Sequence, residues 1–156
     1  MNYHLQKIIK ASYLISRPLS GLLLHNSRRS RIIVINDDSI LLVRGSFGHQ
    51  LWSLPGGGLH RGESDAVGAA RELKEETGLD LPARAFQKLG EKRLKISGSW
   101  AIQNLVFFNT ELQMPTTLKP RPLEIIEAKW FKLESLPKNH SPTLDAGLLF
   151  LKKPMV

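Results

Sequence analysis

Glu72, Glu75 and Glu76 are the residues whose types and spacing point most directly to chemistry. At 3.6 residues per turn they share an arc of about 100° on a helix. Ala66, Ala69, Ala70, Leu73 and Thr77 fall together on a different face. Such a helix carries two local penalties. Like charges three and four residues apart cost roughly 0.2–0.5 kcal/mol per pair, and anions in a last turn oppose the helix dipole at about 0.3–1 kcal/mol each. Lysines at positions 75 and 76 would avoid both, so the arrangement asks for a missing cation. Clustered carboxylates with no His or Cys among them favour a hard, oxygen-preferring ion, Mg²⁺ or Mn²⁺. The alternative is a solvated acidic face with Arg71 and Lys74 as counterions, which is what three glutamates alone usually mean.

The surroundings argue against that alternative. Pro55-Gly56-Gly57-Gly58 places a loop without bulky side chains just before the helix, where backbone amides and carbonyls can approach a metal or phosphate. Arg71 can hold a carboxylate in orientation through a bidentate bond. Loop, arginine and carboxylates together describe a metal–phosphate site. A P-loop is excluded because no Gly-Lys-Ser/Thr occurs, nothing resembles a nucleophile elbow, and the absence of cysteine removes thiolate zinc sites and cysteine nucleophiles together.

The elements that must position this site can be read around it. Arg31 to Asp37 and Ser39 to Arg44 are β-rich runs joined by Asp37-Asp38, a hairpin signal. Leu51 to Leu54 is a short apolar piece before the glycine loop. Ser64 to Thr77 reads as the helix, with Ser64 as N-cap, Asp65 in the first turn and Gly78 beyond the last. Ala83 to Ile96 and Trp100 to Leu112 read as an antiparallel pair around Ser97-Gly98-Ser99, Met114 to Pro122 as a loop, Ile125 to Leu133 as a strand and Thr143 to Lys152 as a closing helix. Unequally spaced strands with two helices predict an α+β chain or a layered α/β/α sandwich rather than a regularly alternating parallel sheet.

At 156 residues the chain fits one domain. Its net charge of +8 suggests nucleic acid until the charges are located. Before Asp37 there is no acidic residue but there are Lys7, Lys10, Arg17, Arg28, Arg29 and Arg31; beyond it, basic and acidic residues nearly balance. Residues 1–30 therefore read as a basic extension, with Leu5, Ile8 and Ile9 at helical spacing giving it an amphipathic helical start, and residues 31–156 as the domain. The extension is expected to dock on its own domain, with contact between residues 1–17 and an anionic membrane surface as the minority reading. No run approaches the roughly 18 apolar residues of a membrane span. A cytoplasmic protein is expected, with a homodimer allowed for.

At this point the residues resemble a known family. The Nudix box, G-x5-E-x7-REUxEExGU with U aliphatic, is matched at every fixed position from Gly57 through Glu63 to Arg71-Glu72-Leu73-Lys74-Glu75-Glu76-Thr77-Gly78-Leu79. The resemblance implies a mixed sheet between helices and a hydrolase that cuts a pyrophosphate linkage in a nucleoside diphosphate attached to another group. By resemblance, Glu72, Glu75 and Glu76 ligate Mg²⁺ or Mn²⁺, the Gly56 carbonyl adds a backbone ligand, and Arg71 orients the glutamates. A late glutamate, Glu124 with Glu127 as fallback, adds a ligand or the general base, a role for which Glu72 competes. Gly57 and Gly58 would approach the substrate, Arg44 would bind phosphate, and Trp52 would stack on a base or pack the core.

The box says little about the substrate. Lys95 stands where many ADP-ribose hydrolases of the family carry proline, and Leu41 to Leu54 shows no coenzyme A hydrolase motif. Phe47, His49 and Trp100 are further aromatic candidates, for which packing or exposure is the better reading. Two rivals remain: an enzyme acting on the 5′ end of RNA, for which Lys92, Arg93 and Lys95 would supply part of a basic track, and a non-catalytic nucleotide-binding module, against which the intact box argues.

Overall fold

A hairpin starts the described fold because Asp37 adopts the left-handed conformation (φ 51°) that a tight two-residue turn needs. It joins β1 (Arg28–Asn36) to β2 (Ser39–Gly45). The structure, a computed structural model, describes residues 28–46, 50–95, 102–113, 117–120 and 125–151. Phe47, His49, Trp100, Glu124, the Ser97-Gly98-Ser99 turn and the leading segment up to residue 27 lie outside the described residues. The first strand begins at Arg28, so Arg28, Arg29 and Ser30, grouped with the basic extension on sequence grounds, are part of the sheet.

The remaining elements are β3 (Trp52–Ser53), α1 (Asp65–Thr77), β4 (Gln87–Lys95), β5 (Ile102–Glu111), β6 (Ile125–Lys132) and α2 (Pro142–Leu151). Ala83–Ala85, expected to open the fourth strand, forms a single 3-10 turn after Pro82 instead. Ala-Arg-Ala offers no β-branched or aromatic side chain to a sheet, and the ladder starts at Gln87. The sheet runs β3-β2-β1-β5-β4, with β6 on β2. β1 and β5 are parallel and the other pairs antiparallel, so the sheet is mixed, as expected.

Period-two alternation assigns the two faces. Ile32 and Val34 of β1 pack with Ala69 and Leu73 of α1, together with Val106 and Phe108 of β5. Ile33 turns the other way and joins Leu105, Phe107, Trp52, Leu54 and Leu144 of α2. Helix, sheet and helix therefore form the α/β/α sandwich. No helix among the described residues is long and apolar enough to cross a membrane.

The partnership between β1 and β2 is short, and this creates the site. Only Ile35↔Ile40 and Asn36↔Ser39 pair, next to the turn. Farther along, the glycine loop takes over the edge of β1: Ile32 N donates to Pro55 O, Ser30 N to Gly57 O (both 2.9 Å) and Leu59 N to Arg28 O (3.1 Å). Only a residue without a side chain can lie there. A Cβ on Gly56 would stand 2.5 Å from Ser30 O, and Gly56 has φ 126°.

The C-terminal end of α1 is fixed by Thr77, which is fully buried. Its Oγ1 donates to Leu73 O (2.7 Å) and accepts from Leu79 N (3.2 Å), while Gly78, in the left-handed conformation, returns its N–H to Lys74 O. Thr77→Val keeps the shape but orphans the Leu79 N–H, and is expected to lower stability by about 1–3 kcal/mol. Urea unfolding should show this as a lower midpoint with an unchanged slope.

Candidate active site

Helix α1 starts where the sequence predicts. Ser64 is extended (φ −72°, ψ 152°) and its side chain accepts from Val67 N. The first turn lies tightly on the preceding loop: a Cβ on Gly68 would meet Leu59 Cδ2 at 2.4 Å. Asp65 does more than favour the helix dipole, since it binds the Arg28 guanidinium of β1, with Nε to Oδ1 at 2.8 Å. Arg28 also reaches Glu91 of β4 (2.8 Å to Oε2), so one exposed ion-pair network ties helix start, central strand and edge strand together.

The arginine of the box holds the loop to the helix. Arg71 Nη2 donates to Glu63 Oε1 and to the Gly58 carbonyl, both at 2.9 Å, and Nε reaches Glu63 Oε2 at 3.3 Å. Nη1 donates to Glu72 Oε1 (2.9 Å) and Glu75 Oε2 (3.4 Å). The bidentate partner is thus Glu63, which sequence reasoning treated only as a fixed position of the box. Glu63 also accepts from His60 N, and these bonds, that to Arg71 foremost, hold its carboxyl below the usual carboxylate range. Lysine cannot span Glu63, Gly58 and Glu72 at once. Arg71→Lys is therefore expected to lower turnover about 10–100-fold and to raise the metal concentration needed for half-maximal rate, as loss of a ligand-orienting contact does. Steady-state kinetics across a metal titration checks this.

The three glutamates do not form a solvated face. The Glu72 side chain is 14% exposed and that of Glu75 33%. Glu72 lies against the glycine loop: a Cβ on Gly57 would fall 2.3 Å from its Oε2. Glu76 is drawn beneath the loop, where its Oε2 accepts from Gly56 N at 2.8 Å. Desolvation pushes the Glu76 carboxyl up to about 7, against the lowering effects of the Gly56 N–H and Arg31. Among the described residues, no three His, Asp or Glu side chains converge to enclose an ion. Glu72 and Glu75 are turned to Arg71 and Glu76 to the loop amide. The donor chemistry nevertheless suits a hard divalent cation, with carboxylate oxygens in one arc and a desolvated carboxylate that no cation among the described residues bonds.

Two residues that sequence reasoning missed complete the surroundings. Arg29 and Arg31 alternate with Ser30 and Ile32 on β1, and their charges act on Glu72 and Glu76. Arg31 Nη1 donates to the carbonyls of Ser30 (2.9 Å) and Gly56, so the carbonyl expected to serve a metal is also held by a guanidinium. Their signal in the sequence was charge repeated at a two-residue interval at the head of an apolar strand; Arg31 was read as the start of that strand and Arg29 as part of the basic extension.

The other expected site residues are engaged by partners other than the glutamates of α1. Arg44 pairs across the sheet with Glu127 (2.7 Å) and covers the Trp52 ring at 5.2 Å. Trp52 is 7% exposed and meets Phe131 edge-on at 4.7 Å, which places it in the core rather than on an open stacking surface. Glu127, the fallback for Glu124, is occupied by Arg44. Lys92, Arg93 and Lys95 lie along edge strand β4.

These features agree with the comparisons to known proteins. A family model for the NUDIX domain matches residues 26–149. Nudix hydrolase 6 of Arabidopsis thaliana is 32% identical over 120 residues, covering 73% of this chain but only 38% of the relative, so the chain spans little more than a third of that protein. In fold, the chain is similar to a MutT NUDIX hydrolase from Burkholderia pseudomallei, with a TM-score of 0.70, 19% identity, and 84% of this chain and 99% of that one covered. It is also similar to a bifunctional NMN adenylyltransferase/ADP ribose pyrophosphatase from Francisella tularensis, complexed with AMP and Mn ion (TM-score 0.67, 22% identity, 92% and 47% covered). With the box in register from Gly57 to Leu79 and the matched segment running from β1 into α2, this chain belongs to the NUDIX family.

Proposed function

We propose that this chain is a divalent-metal-dependent hydrolase that cleaves the pyrophosphate of a nucleoside diphosphate linked to another moiety, by attack of water at phosphorus. The observation that carries the reading is the Glu76 carboxylate, held under the glycine loop by Gly56 N with desolvation opposing its charge. A structural helix has no need of an anion there, whereas a metal–pyrophosphate site does.

Glu72, Glu75, Glu76 and the Gly56 carbonyl would hold Mg²⁺ or Mn²⁺, with Glu124 as a further donor. When bound, the ion supplies charge neutralisation on the phosphoryl oxygens and a lowered pKa for the attacking water. The chain's own residues do the rest. Arg71 Nη1 fixes Glu72 through Oε1, which leaves Oε2, against Gly57, to accept the proton of the attacking water. Glu124 competes for the same role. The side-chain-free loop lets phosphoryl oxygens approach the backbone, so most of the catalysis is positioning and electrostatics. No covalent enzyme intermediate is required. The proposed setting is the cytoplasm, in keeping with a chain that has no cysteine.

The test is a panel of nucleoside triphosphates, nucleotide sugars, ADP-ribose, dinucleoside polyphosphates and 5′-triphosphate RNA, incubated with Mg²⁺ or Mn²⁺. Release of phosphate and pyrophosphate is the readout. Metal-dependent turnover of one class is expected and names the substrate. Salt-sensitive turnover confined to the RNA would favour the 5′-end reading and the basic strand β4. A folded protein that turns over nothing would favour a nucleotide-binding module.

A further inference from the structure

Arg29 and Arg31 have an unusual place for guanidinium groups. Residues two apart on a strand share a face, so the two charges lie side by side on β1. The Nε of each is sealed from solvent and has no acceptor. Among the described residues no carboxylate forms an ion pair with either, whereas Arg28, Arg44 and Arg71 each have at least one. Arg31 places one nitrogen on the Ser30 and Gly56 carbonyls. Arg29 bonds to neither; its Nη1 lies beside the glycine loop, 3.9 Å from where a Cβ on Gly58 would stand. Burying charge without a bonded partner is strongly unfavourable, and the Arg29 charge adds to the cost at Arg31.

The missing partner must be an anion with several oxygens, because two adjacent guanidinium forks present more N–H donors than one carboxylate can accept. It must reach Arg29 from the side of the glycine loop and box glutamates, whose charges already act on this pair. A pyrophosphate meets both conditions. We infer that Arg29, positioned beside the loop-anchored Arg31, binds phosphoryl oxygens of the substrate directly and gives the chain affinity for pyrophosphate that does not depend on metal. This rests on the pyrophosphate reading of the same site and deepens it: the diphosphate would be held by β1 as well as by the carboxylate-bound ion.

The full chain in EDTA, titrated calorimetrically with inorganic pyrophosphate, tests the inference. Saturable binding is expected, weakened at least about tenfold in Arg29→Met, as loss of a charge-assisted contact predicts. Methionine has similar bulk and no charge to desolvate, so the variant's thermal midpoint should hold or rise. A purely structural arginine would give the reverse: a lower midpoint and unchanged binding. Should Arg29→Met fail to fold, Arg29→Lys keeps the charge, loses the bidentate fork and should still weaken binding several-fold. Glu76→Gln should retain or tighten pyrophosphate binding while losing turnover. Absence of metal-free binding in the wild type, or equal binding in the Arg29 variants, overturns the inference even where the substrate panel shows turnover. Arg29-dependent binding with no turnover in the panel would uphold it and defeat the hydrolase reading instead.

Discussion

Glu76→Gln is expected to lower turnover on the order of 10³-fold, the scale of losing a group that organises charge in the transition state, and at the same time to stabilise the metal-free protein at pH 8. Both effects come from one environment. The glutamine oxygen can still accept from Gly56 N, but it has no charge to desolvate. The folded Glu76 carboxyl titrates near 7, against an ordinary 4.5. A raised folded value means that the native state binds this proton more tightly than the unfolded chain does. Its contribution to stability is complete below pH 4.5, is lost as pH rises through 7, and changes no further above that. The gap corresponds to on the order of 3 kcal/mol. Other carboxyls, Glu63 and Asp65 among them, are held low and act in the opposite direction. The readout is therefore the difference between wild type and Glu76→Gln, measured by chemical unfolding in EDTA across this range. That difference should open between pH 4.5 and 7, with the variant the more stable. A variant less stable at every pH would mean that Glu76 is a structural anchor.

Gly56→Ala should cost both stability and rate. Its Cβ would stand 2.5 Å from Ser30 O and 2.9 Å from Ser30 C, which are backbone atoms of the central strand, and alanine is strained at φ 126°. The loop must lift off β1 and lose the Gly56 N–H to Glu76. A loss of roughly 2–4 kcal/mol is expected. Turnover should drop about 100-fold because the loop and carboxylates shift together. Gly62→Ala is the control. It too has positive φ, 86°, but no atom lies within 4 Å of its Cβ, so it should lose only about 1 kcal/mol of backbone preference. Similar losses in the two variants would show that backbone strain, not contact with β1, makes the glycine necessary.

The sequence revealed most about elements whose cause is local. Ser64, Gly78 and the Asp37-Asp38 turn mark their boundaries with backbone chemistry, and the structure places each as expected. The helix face Ala69, Leu73, Thr77 is buried as its spacing requires. Less legible was anything depending on pairing distant in sequence. Nothing in Pro55 to Gly58 says that this loop replaces β2 along β1, or that Arg71 spends its bidentate bond on Glu63. Arg29 was placed in the extension for a similar reason: a charge just ahead of an apolar run looks like a tail until a parallel neighbour, β5, pairs with it. Trp52 was ambiguous because a loop-edge tryptophan can face either way, and Phe131, which packs against it, comes from β6.

On the proposed reading, the acidic arc of α1 exists to hold a divalent cation. Titrating the protein with Mn²⁺, followed by water-proton relaxation, tests it without knowledge of the substrate. Saturable binding by the wild type is predicted, weakened at least about tenfold in Glu76→Gln, a change of roughly 1.4 kcal/mol or more. No saturable binding, or equal affinity in the two proteins, would contradict the account and leave Glu72, Glu75 and Glu76 as anchors of the glycine loop and Arg71 alone.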